Sequence, residues 1–449
     1  MASNAQNTWL PKWSLKHDGI IAPDERLPWG QTFLVGIQHV GAMFGATALA
    51  PIIMGFDPNV AIFFSGIGTL IFFLMVGGRV PSYLGSSFSF IAVVIAATAY
   101  SGTGPNTNIS DALGGIIAAG ALYGMIGILV MIVGARWIGV LMPPVITGAV
   151  VAVIGLNLAG MAVKGVSASG FDLVVGLVTM LTLGVIAVYG TGLIKRLPIL
   201  LGAVAGYLVY LVGANYFGLA KPISFDAIVH APWFGLPSFV GPTFSGHAIG
   251  LIAPVALILA AENLGHIKAI GVMTGRNMDG DIGRAFLGDA VATVISASGG
   301  GTGVTTYAEN MGVMAVNRIY STLVFVIAGV FAILLGLSPK FGAAILTIPG
   351  PVIGGLSIVV YGMIAATAGR IWVEDRVDFS DPRNLITVAI VLIAGAGDLT
   401  VKLGSFTLGG IGTATFSAII LYYLLGRRKP TSSINTTHAE TQPVGVGDF

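Results

Sequence analysis

The sequence predicts an all-α polytopic membrane protein with 14 transmembrane segments in two inverted repeats of seven. Three observations carry that expectation. First, only 9% of the 449 residues are Asp, Glu, Lys or Arg, while 55% are hydrophobic. Soluble domains carry about 25% charged residues. Second, the mean hydropathy is +0.91. At roughly 20 apolar residues per span, this length holds about 12 to 14 helices. Third, PVITGAVVAVIG at 144–155 returns as PVIGGLSIVVYG at 351–362. This composition excludes an ordinary soluble enzyme and a disordered chain. A net charge of +2 leaves no basic face for nucleic acid. The chain has no Cys, so disulfide and thiol chemistry are absent. Its 65 glycines suit closely packed membrane helices.

Residues 1–29 are polar, carry Pro11, Pro23 and Pro28, and lack the apolar run of a signal peptide. They read as an ordered or semi-ordered cytoplasmic leader. The first repeat occupies 30–217, with spans near 30–55, 59–77, 83–100, 112–134, 138–160, 170–189 and 196–217. An extracytoplasmic connection follows at 218–245. The second repeat occupies 246–426, with spans near 246–271, 284–298, 304–317, 319–338, 341–367, 384–400 and 406–426. The tail, 427–449, is polar and expected to be disordered and cytoplasmic.

The third and tenth segments are poor helices. They open with Gly85-Ser86-Ser87 and Gly303-Val304-Thr305-Thr306, which predicts short extended stretches at corresponding places in the two repeats. Seven spans per repeat is an odd number, so the second copy enters from the opposite side. Inverted repeats with paired interrupted segments mark secondary transporters, with the site at the midplane. Loop charges agree with both ends being cytoplasmic. Arg79, Arg136, Lys195, Arg196, Arg276, Arg284, Arg318, Arg370, Arg376 and Arg383 fall in predicted inner loops. Lys164, Lys221, Lys340 and Lys402 fall in predicted outer ones. Lys and Arg concentrate in cytoplasmic loops.

Ionisable residues within apolar segments are functional candidates. Glu262 and His266 lie four apart in LILAAENLGHIKAIG, on one helix face. Glu309 opens the helical part of the second interrupted segment, in TTYAENMGV. Two carboxylates near one site cannot both ionise cheaply, which suits proton coupling. His39 and Gln38, in the first span, are expected to hydrogen-bond across to a neighbouring span. Lys268 is expected to point away from Glu262, and Asp289 to stand behind the site. Phe88 and Tyr307-Ala308 mark the two junctions between extended stretch and half-helix. Such junctions aim backbone N–H groups at the midplane. An aromatic ring beside backbone donors and carboxylates suits a flat ligand with carbonyls and N–H groups, and a nucleobase fits.

Three other motifs do not hold. Gly395-Ala396-Gly397-Asp398 matches the GxGD string of intramembrane aspartyl proteases, but no Tyr-Asp pair supplies a second acid. Asp398 is expected to end a span. Gly299–Thr306 lacks the lysine of a phosphate loop. Glu262 with His266 is not HExxH and has no third ligand. Neither a metal nor a cofactor is expected, and the protein is not read as an enzyme.

These residues resemble the nucleobase–ascorbate transporter family. The signature of that family is an acid or Gln, then Asn, any residue, Gly, four residues, Thr and a basic residue. It is matched by Glu309-Asn310-Met311-Gly312 running to Asn317-Arg318, with Asn317 in place of the Thr. Further matches are QH at 38–39, FGAT at 44–47, PSYLGSSF at 81–88 and AENLGH at 261–266. APDERLP at 22–28, MTGRNMD at 273–279 and FTLGGIGTATF at 406–416 resemble its pyrimidine-permease branch.

The resemblance implies a core domain (spans 1–4 and 8–11) and a gate domain (spans 5–7 and 12–14). Substrate would sit between them and cross by elevator-type movement of the core. It implies that Glu262 and Glu309 hydrogen-bond the base and that the backbones at Phe88 and Ala308 contact its carbonyls. Ala46 and Tyr307 would line the pocket, His266 would support Glu262 in proton coupling, and Gln38, His39 and Asn310 would support the site. Uracil permease has Gly where this chain has Ala308. A homodimer through the gate is also implied. The expected function is proton-coupled import of uracil or a related pyrimidine across a bacterial inner membrane. Thymine, xanthine and urate stay open as substrates. An anion transporter of the same architecture is the more distant alternative.

Overall fold

A computed structural model describes residues 9–426 apart from 103, 193, 195–196 and 404–405. The tail from Arg427, with its expected disorder, and the loop charges Lys195 and Arg196 lie outside the described residues, as does the side chain of Lys402.

The leader forms two short parallel strands, β1 (Ser14–Leu15) and β2 (Glu25–Arg26). Helices α1 (Trp29–Met54) and α2 (Pro58–Met75) follow. Asp57 caps α2 by accepting from the Asn59 N–H at 2.8 Å, with Pro58 at the first helical position, where its missing N–H costs nothing. Strand β3 (Leu84–Ser86), a 3-10 turn (Phe88–Phe90) and α3 (Ile91–Thr98) form the first interrupted segment. Next come α4 (Ile109–Val133), α5 (Arg136–Leu141), α6 (Pro144–Asn157), α7 (Ala159–Val166), α8 (Gly170–Tyr189) and α9 (Pro198–Asn215). The connection contains only α10 (Asp226–His230).

The second half opens with α11 (Gly246–Ile252) and α12 (Val255–Thr274), then α13 (Ile282–Ser298). Strand β4 (Val304–Thr306) and α14 (Ala308–Asn317) form the second interrupted segment. Helices α15 (Thr322–Gly336), α16 (Pro339–Leu346), α17 (Gly350–Glu374) and α18 (Pro382–Ala396) follow. A hairpin of β5 (Val401–Leu403) and β6 (Phe406–Leu408) precedes α19 (Gly410–Leu425).

Among the described residues, eight helical stretches are long and apolar enough to cross a membrane, with α6–α7 and α11–α12 each counted as one. A ninth is counted if α15 and α16, bent by 80° at their junction, make one span. Each of the 14 expected segments meets helix, but several boundaries differ. The expected span 341–367 is cut at Pro349-Gly350-Pro351, because proline cannot continue a helix from the residues before it. The expected span 138–160 holds three helices, cut first at Pro143-Pro144. The segment 406–426 starts as a hairpin strand. Asp398 follows the end of α18, as expected, and its Oδ1 accepts the Gly410 N–H at 2.9 Å at the start of α19.

Two groups of helices emerge from the packing. In one, α2 packs on α15 and α4 on α13, with α1 and α12 beside the strands, α14 against α1 and α12, and α3 and α11 against α4. In the other, α6 packs on α17 and α18, α8 on α9 and α17, and α18 on α19. The repeated strings thus lie on packed partners, α6 and α17. Between the groups, α1, α9, α16 and α17 line an open apolar cleft of about 410 Å³, with residues such as Phe44, Leu49, Ile199, Leu208 and Leu356 on its walls.

The leader docks on one face of the first group. Trp9 donates to the Leu74 carbonyl at 2.9 Å, and Arg284 lies over its ring at 5.0 Å. Ile21 pairs with the backbone at 318–320, and Arg276 pairs with Asp24 at 2.5 Å. The 218–245 connection covers the opposite end, pairing with backbone at Ser110, Gly299 and Leu337.

Candidate functional site

The interrupted segments meet in the middle of the first group. Strands β3 and β4 pair antiparallel, Leu84 with Thr306, Gly85 with Thr305 and Ser86 with Val304. The ladder continues at both ends, with Tyr307 N–H to Tyr83 O at 3.0 Å and Ser87 N–H to Gly303 O at 2.9 Å. Backbone that leaves a helix at membrane depth needs partners within the protein. Here each broken segment supplies the other's. Close approach is required: a Cβ on Gly85 would meet the Tyr307 ring and, at 2.6 Å, the Thr47 hydroxyl.

Beyond each strand a helix begins at the ladder. On the first, Ser87 caps the turn by accepting the Ser89 N–H at 3.3 Å. On the second, no side chain caps α14, whose first turn carries Glu309. The leading N–H groups of an uncapped helix are a ready donor array.

Helix α12 crosses both junctions. Ser89 Oγ donates to Glu262 Oε2 at 3.4 Å, and His266 Nδ1 lies 2.8 Å from Thr306 Oγ1. Glu309 lies in the first turn of α14, which α12 contacts, and Asp289 on α13 binds Asn263, the residue after Glu262. Three carboxyls therefore share one neighbourhood. No ion pair among the described residues involves any of them. An unpaired buried charge is costly, so such a site is completed by a proton or by an N–H donor.

The expected site residues take the following places. Glu262, Glu309 and Phe88 are half-buried and Ala308 is exposed; Phe88, Ala308 and Glu309 stand at the two junctions, and Glu262 faces the first of them through Ser89. Tyr307 is buried, and its hydroxyl is held by Ser86 O at 2.8 Å and Thr47 Oγ1 at 3.2 Å. Ala46 is buried on α1 beside Thr47, with no exposed surface. Asn310 donates to His39 O at 3.0 Å and lies 3.0 Å from His39 Nδ1, tying α14 to α1. Gln38 Oε1 accepts from Asn317 at 3.1 Å, so the residue that departs from the family's Thr has its own partner. Lys268 is exposed and lines a separate cavity of about 350 Å³ with Arg276 and Asp279.

Sequence reasoning missed Ser89, Asn263, Thr306 and Tyr123. Asn263 is the hub behind His266. Its Nδ2 donates to Tyr123 OH at 2.7 Å and Asp289 Oδ2 at 2.5 Å. Its Oδ1 accepts from Thr305 Oγ1 at 3.1 Å and from Thr306 Oγ1. The available signal was the polar run Glu262-Asn263 and Thr305-Thr306 inside apolar sequence.

From the site toward the leader-side face, α12 and α14 each present an exposed strip. On α12 it comprises Gly265, Lys268, Ala269 and Val272, and on α14 Ala308, Gly312 and Val316.

Residues 30–404 match the model of the Permease family. The chain belongs to that family. This permease is 61% identical over 423 residues to the "Putative pyrimidine permease RutG" of Escherichia coli strain K12, covering 93% of this chain and 96% of that protein. It is 40% identical over 420 residues to the "Uracil permease" of Paenibacillus larvae, covering 90% and 96%. Among solved structures it is similar to the transmembrane domain of the cyanobacterial bicarbonate transporter BicA. The TM-score is 0.60 at 16% identity, covering 88% of this chain and 97% of that one. Murine Slc26a9, an anion transporter, gives 0.65 at 11% identity, covering 88% and 68%. At such identities the likeness concerns the fold alone.

Proposed function

We propose that this permease is a proton-coupled symporter that imports uracil or a related pyrimidine nucleobase across a bacterial inner membrane. The observation that carries the reading is a pair of half-helix starts at the β3–β4 ladder, with Glu309 in the first turn of one and Glu262 accepting from Ser89 at the other. A pyrimidine edge alternates carbonyl oxygens with ring N–H groups. The N–H groups would donate to the two carboxyls, and the carbonyls would take backbone N–H groups at Phe88 and Ala308. Phe88 would offer its ring face. The names of the relatives, pyrimidine and uracil permeases, support that choice of ligand.

Coupling follows from electrostatics. Substrate and a proton together would neutralise the acidic site, and a neutral site crosses a low-dielectric barrier at lower cost. His266, one turn from Glu262, would share that proton. The architecture would be 14 segments in two inverted repeats, the first packing group acting as the moving core and the second as the gate. The apolar cleft between the groups leaves room for such a shift. Both termini would be cytoplasmic. The exposed strips of α12 and α14 run toward the leader, which supports an inward-open state.

The test is uptake of radiolabelled uracil into proteoliposomes with and without an inward proton gradient, in the presence of unlabelled thymine, xanthine or urate. Gradient-driven accumulation blocked by pyrimidines is expected. Transport of xanthine or urate without uracil would overturn the substrate. Transport of bicarbonate or chloride instead would favour the anion reading.

A further inference from the structure

We infer that Thr306 and Asn263 act as positioning residues that fix the tautomer of His266, placing its proton on Nδ1 and leaving Nε2 as the proton-accepting nitrogen. Asp289 Oδ2 lies 2.5 Å from one end of the Asn263 amide; with Asp289 ionised, or holding its proton on the unpartnered Oδ1, Oδ2 accepts and that end is the NH₂. The same NH₂ donates to Tyr123 OH at 2.7 Å. The other end is therefore the carbonyl, and it faces the hydroxyls of Thr305 and Thr306. A carbonyl oxygen only accepts, so both threonines donate to it. Thr306 has one hydroxyl hydrogen, and it is spent there. Its oxygen can then only accept from His266 Nδ1, 2.8 Å away. Nδ1 must be the N–H nitrogen, and in neutral imidazole the other nitrogen carries the lone pair.

The chain thus runs from His266 through Thr306 and Asn263 to Asp289, across α12, β4 and α13. An incoming proton would add to Nε2, and the resulting imidazolium would keep its Nδ1–H on Thr306. The titratable groups around this chain are Glu262 on the same helix, Glu309 on α14, Asp289 on α13, Tyr123 on α4 and Tyr307 at the end of β4. The inference rests on the reading of His266 as part of the proton-coupling pair.

Two measurements separate the inference from that reading. Nitrogen-15 NMR of histidine-labelled protein in nanodiscs reports the tautomer without any transport. The His266 signal is assigned by its loss in His266→Asn. Wild type should show protonated Nδ1, Thr306→Val should show loss or mixing of that tautomer, and Thr306→Ser should restore it. Protonated Nε2 in the wild type, or an unchanged tautomer in Thr306→Val, would overturn the inference. In proteoliposomes, Thr306→Val should shift the pH profile of gradient-driven uracil uptake and lower its rate about tenfold, with Thr306→Ser recovering both. An unshifted profile in Thr306→Val would also count against it. Absence of uracil uptake by the wild type would defeat the transport reading and leave the tautomer result standing.

Discussion

The stretch Leu84–Thr98 and the stretch Val304–Asn317 are built alike through their strands. In the first, Thr69 on α2 accepts the Leu84 N–H at 2.9 Å and shares its hydroxyl hydrogen between Ser65 O at 2.8 Å and the Leu84 carbonyl at 3.3 Å. In the second, Thr293 on α13 accepts the Val304 N–H at 3.2 Å and donates to its carbonyl at 3.1 Å. Each threonine closes the outer edge of a two-stranded ladder that would otherwise leave polar backbone unpaired. After the strands the two diverge. The first continues as Phe88-Ser89 into an uncharged helix and is capped by Ser87. The second begins uncapped with Ala308-Glu309 and is tied to α1 through Asn310 and Asn317. A scaffold repeated in backbone thus carries its acid on one half. The first half contributes a ring and a hydroxyl, the latter donated to Glu262 from Ser89.

That contrast can be broken from either side. Glu309→Gln removes the acid from the second half and should weaken pyrimidine binding about 10- to 100-fold, the value of a hydrogen bond to a charged group. Equilibrium binding of labelled uracil to purified protein reads this directly. Gly85→Ala attacks the shared scaffold, because the new methyl has no space beside Tyr307. It should cost about 1–3 kcal/mol, read as a lower Tm. Thr69→Val and Thr293→Val each strip one strand edge of its partner and should cost about 1–3 kcal/mol apiece. Equal losses of Tm would support equivalent roles, and a large inequality would break the comparison. Arg276→Ala removes an exposed ion pair with Asp24 on the leader and should cost at most about 1 kcal/mol.

Much of the divergent chemistry was legible in the sequence. Glu262 and Glu309 stand out because acids are rare in apolar runs. Both extended stretches announced themselves through small and hydroxyl residues ahead of apolar ones. Of the polar hub only Asp289 was legible; Tyr123, Asn263 and Thr306 come from three elements and no spacing relates them. The bend ahead of α17 was missed because one hydropathic run continued through Pro349 and Pro351. The docking of the leader, with Trp9 donating to Leu74 O, Trp13 donating to Thr322 Oγ1 at 3.0 Å and Ile21 pairing at 318–320, depends on partners distant in sequence. The resemblance implies that Tyr307 lines the pocket; its hydroxyl partners, Ser86 O and Thr47 Oγ1, lie far from it in sequence and no spacing pointed to them.

The most direct test of the charge asymmetry is Glu262→Gln in proteoliposomes, assayed for gradient-driven accumulation of uracil. Accumulation should be abolished while the purified variant still folds. Accumulation at the wild-type level would contradict the account and remove Glu262 from the coupling mechanism.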